Sequence, residues 1–243
     1  MKPYFETKLG KLFYGDCLEI LPTLPKVDLV LTDPPYIIHA GAGGGAFGQR
    51  DHLINTGGFT DCGCDYSFLD MFKNWFCFCS FLQLPELLSK ADKTTRKNLI
   101  TWCKPNPVPT CNNKYLPDVE YIVHGFDRGR LFGNYYDKSS FFNAPCGNKK
   151  TTHPNEKPLS LIYKLLKSGS IIDDLILDPF LGSGTTAVAC EQLKRRWIGV
   201  EISEKYCEIA AKRIEKETQQ LDLFEDTKIF NEPGKPLKQI EMF

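Results

Sequence analysis

Ile171-Ile172-Asp173-Asp174-Leu175-Ile176-Leu177-Asp178-Pro179-Phe180-Leu181-Gly182-Ser183-Gly184-Thr185-Thr186 reads as an apolar strand, a glycine turn and the opening of a helix. Glycines at 182 and 184 let the backbone come close to a ligand, and the free N–H groups of a helix opening at Thr185 attract a carboxylate or phosphate. Such a turn is weak evidence alone. It gains weight from Trp197-Ile198-Gly199-Val200-Glu201, a second strand that ends in an acid. That acid falls roughly 20 residues on, the distance at which nucleotide-binding α/β folds place a ribose-binding carboxylate. Glu201 is therefore the ribose candidate, with a solvated strand end or the acidic start of a helix over Ser203 to Ile214 as the plainer alternative.

A second strand ending carries a different chemistry. Val27-Asp28-Leu29-Val30-Leu31-Thr32 runs into Asp33-Pro34-Pro35-Tyr36. Two consecutive prolines set two φ angles and hold the residue before each in an extended form, so the Asp33 carboxylate and the Pro34 carbonyl are presented rigidly together. Both are acceptors. A ring-conjugated amine is a poor nucleophile, because its lone pair is delocalised. Two fixed acceptors, each taking one N–H, draw that nitrogen towards tetrahedral geometry and aim its lone pair at an electrophile. Pro35 completes the rigid turn, and Tyr36 offers an aromatic face for an extruded base. An ordinary strand-ending turn is the alternative.

Together these segments, from about Leu12 to Ile214, resemble the S-adenosylmethionine-dependent DNA amino-methyltransferases of the N6-adenine and N4-cytosine types. The Asp-Pro-Pro-Tyr element precedes the glycine turn, an order similar to the β class, whose methyltransferase fold is circularly permuted. The resemblance implies a Rossmann-like α/β domain with a mixed, mostly parallel seven-stranded sheet. It implies methyl transfer to the exocyclic amine of a flipped DNA base, as in a restriction-modification system. Asp33, Pro34, Pro35 and Tyr36 would be the catalytic set, and Asp178, Pro179, Phe180, Gly182, Gly184, Thr185, Thr186 and Glu201 would hold S-adenosylmethionine. The resemblance adds Gly15-Asp16-Cys17 after the strand-like Lys11 to Tyr14, with Asp16 and Cys17 meeting the adenine of the cofactor. It also adds His153-Pro154-Asn155-Glu156-Lys157-Pro158, which puts Lys157 beside the cofactor carboxylate. Many N4-cytosine relatives carry Ser in place of the leading Asp, which favours adenine N6 here and leaves cytosine N4 as the alternative. RNA and protein-glutamine methyltransferases share the chemistry, but usually carry Asn before Pro-Pro-Tyr and the unpermuted order.

A chain of 243 residues, 42% hydrophobic, is long enough for one sizeable α/β core. The expected division is a single methyltransferase domain over 1–216 and a tail over 217–243. The start Met1-Lys2-Pro3-Tyr4-Phe5-Glu6 lacks the apolar core of a signal peptide and no run reaches membrane-spanning length, so a cytoplasmic protein of bacterial or phage type is expected. Its ten cysteines are then reduced thiols. Cys62-Gly63-Cys64 and Cys77-Phe78-Cys79 have one-residue spacing that suits zinc poorly, so no metal site is expected. Cys146, in Ala144-Pro145-Cys146, resembles the nucleophile of cytosine-C5 enzymes but is not at the catalytic strand end, and amine methylation needs no covalent attack on the ring.

Residues 37–65, rich in glycine, read as a mobile loop over the active site or a plain insertion. Phe68, Met71, Phe72, Trp75, Phe76 and Cys79 recur at helical spacing and read as core. Asn98 to Cys103 reads as a buried strand, ending in Lys104-Pro105-Asn106-Pro107, which resembles a family loop at the target base. Tyr121 to His124 reads as the strand after it. Pro158 suits the first turn of a helix bearing Leu159, Ile162, Leu165 and Leu166, with Gly169 as its stop. The formal net charge is zero, so DNA affinity must be local. From Phe126 to Lys157, Arg128, Arg130, Lys138, Lys149, Lys150 and Lys157 face only Asp127, Asp137 and Glu156. This window, centred on 126–152, is the candidate recognition insertion, with Lys104 and Asn106 as further DNA contacts; a charged surface loop is the alternative. Gln220-Leu221-Asp222-Leu223-Phe224 resembles a sliding-clamp docking peptide, against which stands a simple helix end. A homodimer is compatible with so compact a chain.

Overall fold

A computed structural model describes residues 1–36, 64–107, 115–145 and 157–229, with side chains as far as Gln220. Most of the expected 37–65 loop, and Lys149, Lys150, Cys146 and His153, lie outside the described residues. In chain order the elements are β1 (Phe5–Glu6), β2 (Gly10–Tyr14), α1 (Cys17–Ile20), β3 (Leu29–Thr32), β4 (Asn74–Cys79), α2 (Leu84–Ala91), β5 (Arg96–Cys103), β6 (Val119–Phe126), β7 (Phe141–Asn143), α3 (Leu159–Gly169), β8 (Leu175–Asp178), α4 (Thr185–Gln192), β9 (Arg196–Glu201) and α5 (Glu204–Ile229). The strands form one sheet in the order β1-β2-β9-β8-β3-β4-β6-β5-β7. Seven of them make the expected mixed, mostly parallel sheet. The two extra strands, β1 and β7, are edge pieces of two and three residues, too short to leave a periodic signal. Only β1 and β6 run against the rest.

Helices cover both faces, which explains why β3, β4 and β8 are buried at every position. One core joins α3, α4 and α5 to Leu12, Leu31, Phe76, Phe78 and Ile176. The other packs α1, α2 and the 3-10 turn over Tyr66–Met71 against Val30, Trp75, Cys77, Val123 and Val200. The helical spacing from Phe68 to Cys79 is overturned here. Asn74–Cys79 is a central strand paired with β3 and β6. A strand buried on both faces carries apolar residues continuously, and such a run imitates a helix face. Its assignment to the core holds for Phe68, Trp75, Phe76 and Cys79, whereas Met71 is exposed.

Helix α3 spans Leu159–Gly169, with Ile162, Leu165 and Leu166 buried, as its apolar face predicts. Helix α5 continues unbroken to Ile229, so the boundary expected at 216/217 falls inside it. The stretch Gln220 to Phe224 is thus part of a helix, the alternative to an extended docking peptide. Among the described residues no helix is long and apolar enough to cross a membrane.

Candidate active site

Parallel pairing of β2, β9, β8, β3 and β4 brings their carboxyl ends to one edge, where ligands of open α/β sheets bind. The register Leu29↔Ile176, Val30↔Leu177 sets the end of β3, with Asp33, beside the end of β8, with Asp178. Each strand thus delivers one of the two sequence elements to the same place.

The glycine turn after β8 is locked from three sides. Gly182 and Gly184 have φ of 55° and 83°, which side chains with a Cβ seldom adopt. At Gly184 a Cβ would also come within 3.1 Å of Ala210 on α5. The Gly182 N–H donates to Glu201 Oε2 at 2.8 Å, and the Ser203 N–H donates to Oε1 at 2.8 Å. Glu201 also takes the Gly15 N–H on its backbone carbonyl at 3.0 Å. It therefore ties together the turns after β2, β8 and β9. Burial pushes its carboxyl up, and the N–H groups of Ser203 and Gly182 pull it down. Each carboxylate oxygen retains a second lone pair, so ribose contact is compatible with this role.

Asp16 caps α1, taking the Leu18 N–H at 2.9 Å, and stays exposed beside the turn. Cys17 is buried, and burial pushes its thiol up to about 11. Asp178 takes the Phe180 N–H at 3.1 Å. Burial raises its carboxyl to about 7, against the pull of Thr186 and the Phe180 N–H. The Phe180 ring tilts against Phe68 at 6.0 Å. Thr185 Oγ1 accepts from Arg213 at 3.0 Å, and the same guanidinium donates to the Ser183 carbonyl at 3.2 Å. Arg213, from α5, is thus a buried brace of the turn that sequence reasoning missed; only its place on an apolar helix face hinted at it.

At the end of β3, Asp33 Oδ2 lies 2.7 Å from Lys157 Nζ, and Lys157 lies 3.2 Å from Glu120 Oε2. Glu120 in turn pairs with Lys104 at 2.5 Å and accepts from the Tyr36 hydroxyl at 3.2 Å. Lys157 Nζ also stands 5.2 Å from the ring centres of both Tyr36 and Phe78. The other carboxylate oxygen, Asp33 Oδ1, is buried with no hydrogen-bond partner among the described residues. Burial raises the Asp33 carboxyl, Lys157 opposes that and Glu120 adds to it. For Glu120, burial is outweighed by Lys157 and Lys104, and its carboxyl is held below the usual range. Lys157 is itself shifted up: burial disfavours its charge, but Asp33 and Glu120 more than compensate. Behind Pro35, Gln83 Nε2 donates to its carbonyl at 3.3 Å.

Two expectations change. Lys157 does not stand free at the helix mouth; its charge is taken up by Asp33 and Glu120. Lys104, expected at DNA, is turned into Glu120 and over the Trp102 ring at 5.0 Å, with its side chain 12% exposed. Glu120 and Gln83 carry no sequence motif, which is why both were missed. Asn106 is exposed at the carboxyl end of β5, on the site's edge.

The basic window divides. Its antiparallel strand β6 ends at Phe126, opposite the first residue of β4, so Asp127 to Arg130 emerge at the far end of the sheet. There Arg130 meets Asp28 at 3.2 Å and Asp174 at 3.8 Å, ahead of β3 and β8. The Arg128 N–H donates to Thr95, just before β5. Arg128 and Arg130 are therefore remote from Asp33, contrary to expectation, because a strand reversal is not visible in a count of charges. The chain climbs back along α3, where Lys164 donates to the Tyr136 and Asp137 carbonyls at 2.7 and 3.0 Å. Lys138 is exposed on that climb. Only with β7, paired to β5 through Asn143, does the window return to the site edge. Among the described residues no group of three or more His, Cys, Asp or Glu is placed to hold a metal ion.

Residues 27–212 match the family model described as DNA methylase, of the N6/N4 methyltransferase type. The chain belongs to this DNA methylase family. Among curated members, the type II methyltransferase M.HpaI of Haemophilus parainfluenzae is 35% identical over 89% of this chain and 77% of its own length. M.HinfI of Haemophilus influenzae is 27% identical over 88% and 70%. Among solved members, M1.HpyAVI in complex with SAM is 26% identical with a TM-score of 0.62, covering 84% of this chain and all of that one. The cytosine-N4-specific PvuII DNA methyltransferase shares the fold, with a TM-score of 0.65 at 17% identity over 90% and 95% of the two chains. The protein is thus a DNA methyltransferase of the N6/N4 family, whose members span both base types.

Proposed function

We propose that this enzyme methylates the N6 amine of adenine in DNA, with S-adenosylmethionine as the methyl donor. The observation that carries the reading is the buried Oδ1 of Asp33, without a hydrogen-bond partner among the described residues, on a rigid Pro-Pro turn beside the glycine turn of β8. An orphaned acceptor in that place is suited to an incoming N–H. Asp33 and the Pro34 carbonyl take the two amine hydrogens and restore nucleophilic character to the nitrogen. Tyr36, its hydroxyl tied to Glu120, gives the extruded base a held ring to stack on. Glu201, Asp16 and the turn from Asp178 to Thr186 fit the cofactor: close-approaching glycines, a carboxylate at the ribose position and a helix mouth for the carboxylate end. When bound, the cofactor supplies an electrophilic methyl group on a sulfonium.

DNA contacts are assigned to the carboxyl edge of the sheet, to Asn106 and to Lys149 and Lys150 after β7, with Lys138 on the approach. Arg128 and Arg130 are left out, and neither a sliding clamp nor a second copy of the chain is needed. Cytosine N4 is the second reading, since its amine offers the same pair of N–H groups to the same acceptors. The test is incubation with labelled S-adenosylmethionine and mixed-sequence duplex DNA, followed by nucleoside mass spectrometry. N6-methyldeoxyadenosine is expected. N4-methyldeoxycytidine would move the reading to cytosine, and neither product with cofactor bound would overturn it.

A further inference from the structure

The site contains a charged relay that methyl transfer to an amine does not by itself demand. Lys104, Glu120, Lys157 and Asp33 form an unbroken chain of alternating charges, with links of 2.5, 3.2 and 2.7 Å. Lys157 is 8% exposed and Glu120 18% at their side chains, so solvent does little to hold either in place. Burying four charges is costly unless each is paired, and here each is. The arrangement spends both oxygens of Glu120 on its neighbours, Oε1 on Lys104 and Oε2 on Lys157 and Tyr36, yet among the described residues it leaves Asp33 Oδ1 without a hydrogen bond.

We infer that Lys157, braced by Glu120, is a positioning residue for the reaction: it pins Oδ2 of Asp33 so that Oδ1 alone faces the target amine. The inference rests on the reading of Asp33 as the amine acceptor. A carboxylate on a short side chain rotates about its last bond, and an untethered one would spread its acceptor over many directions. The ammonium removes that freedom and keeps the acceptor ionised. Glu120 keeps the ammonium in place from the other side, and its hold on the Tyr36 hydroxyl couples the stacking ring to the same brace. In the transfer, the amine lone pair forms the N–C bond as the S–C bond breaks, its electron pair passing to sulfur. The nitrogen then sheds one N–H proton to Asp33 Oδ1 and on to water. A methylated ring amine in its cationic form is a strong acid, so a carboxylate stabilised by Lys157 remains basic enough.

The groups facing Asp33 from each neighbouring element are Lys157 before α3, Glu120 on β6, Tyr36 after β3, Cys77 and Cys79 on β4, and Asp178 on β8. Among the described residues Lys157 is the cation paired with it, so its removal must raise the pH at which Asp33 ionises. The experiment compares Lys157→Met, Lys157→Arg and Glu120→Gln with the parent enzyme. Single-turnover methylation of mixed-sequence duplex DNA is followed from pH 6 to 9, and S-adenosylmethionine binding by calorimetry, which also reports folding. Lys157→Met should lose turnover on the order of 100-fold at pH 7, as for a lost preorganising group. It should regain part of the loss towards pH 9 and bind cofactor within about threefold of the parent, a difference of under 1 kcal/mol. Lys157→Arg should restore the parent pH profile, and Glu120→Gln should show a smaller loss without the recovery towards pH 9, because removing its charge lowers the Asp33 carboxyl instead of raising it. Cofactor affinity falling in step with turnover, at an unchanged pH profile, would make Lys157 a cofactor ligand and overturn the inference. An active Asp33→Ala enzyme would instead sink the reading of Asp33 itself.

Discussion

Asp33 and Asp178 end adjacent strands, yet their carboxyls are governed by different neighbours, and that difference is testable. Asp33→Ala removes the proposed acceptor without touching the glycine turn, so turnover should fall by roughly 10²- to 10³-fold, the scale for losing a preorganised electrostatic group. Cofactor affinity by calorimetry should stay within a few-fold; its loss would mean that Asp33 belongs to the cofactor site. Among the described residues no cation pairs with Asp178, and burial lifts its carboxyl to about 7 from an ordinary 3.8. Its folded form binds a proton where its unfolded form does not. The stability it contributes is therefore full below about pH 4 and is lost as pH rises through 7, by about 4 kcal/mol at 1.36 kcal/mol per unit. Urea unfolding of Asp178→Asn across that window should lack this fall, and a variant that tracks the parent at every pH would contradict it. At this scale the sequence was legible where geometry is local: the turns at Asp33 to Tyr36 and Gly182 to Thr185 are shaped by their own prolines and glycines. It was silent on Glu120, 84 residues from the Tyr36 it holds, because neither partner carries a mark of the other.

Among elements, β4 shows why the reading failed where it did. Its six residues are all buried, so the strand has no polar face to set a period of two, and its aromatics fell by chance on a helical rhythm. The antiparallel partner β6 supplies what β4 cannot. His124 lies between Phe76 at 3.8 Å and Phe126 at 4.1 Å, nearly parallel to both, with a ring nitrogen 3.3 Å from Asn74 Oδ1. Asn74 in turn donates to the Asp28 and Gly169 carbonyls, tying β4 to the start of β3 and the end of α3. Burial lowers the His124 imidazole to about 3, so it is neutral in the fold. The stability it brings is present above its unfolded value near 6.5 and is lost as pH falls through 3. His124→Phe keeps the stack and removes the titration. Relative to the parent, the variant should gain stability progressively between pH 6.5 and 4, read as a converging urea midpoint. A constant offset at all pH values would mean that the imidazole titrates in the fold as it does in the unfolded chain, and that burial does not lower it.

Over the whole molecule, a sheet with parallel strands has two unlike ends, and a sequence does not show which end a charge will reach. All the described groups that fit the methyl transfer gather at the carboxyl end. Arg130 sits at the other, closing on Asp28 and Asp174 where β3 and β8 begin. With a net charge of zero, the enzyme cannot attract DNA as a body, and each phosphate contact must appear in the salt dependence of binding. A cation that neutralises one phosphate contributes about 0.9 to the slope of log affinity against log salt. Replacing Lys149 and Lys150 together with alanine should therefore flatten that slope by nearly two, measured by fluorescence anisotropy on duplex DNA. Replacing Arg128 and Arg130 together should leave it unchanged while lowering stability by about 1 kcal/mol, the scale of a partly exposed ion pair. The reverse result, a slope sensitive to Arg128 and Arg130, would require the duplex to wrap around to the strand-starting end, more than a single extruded base needs.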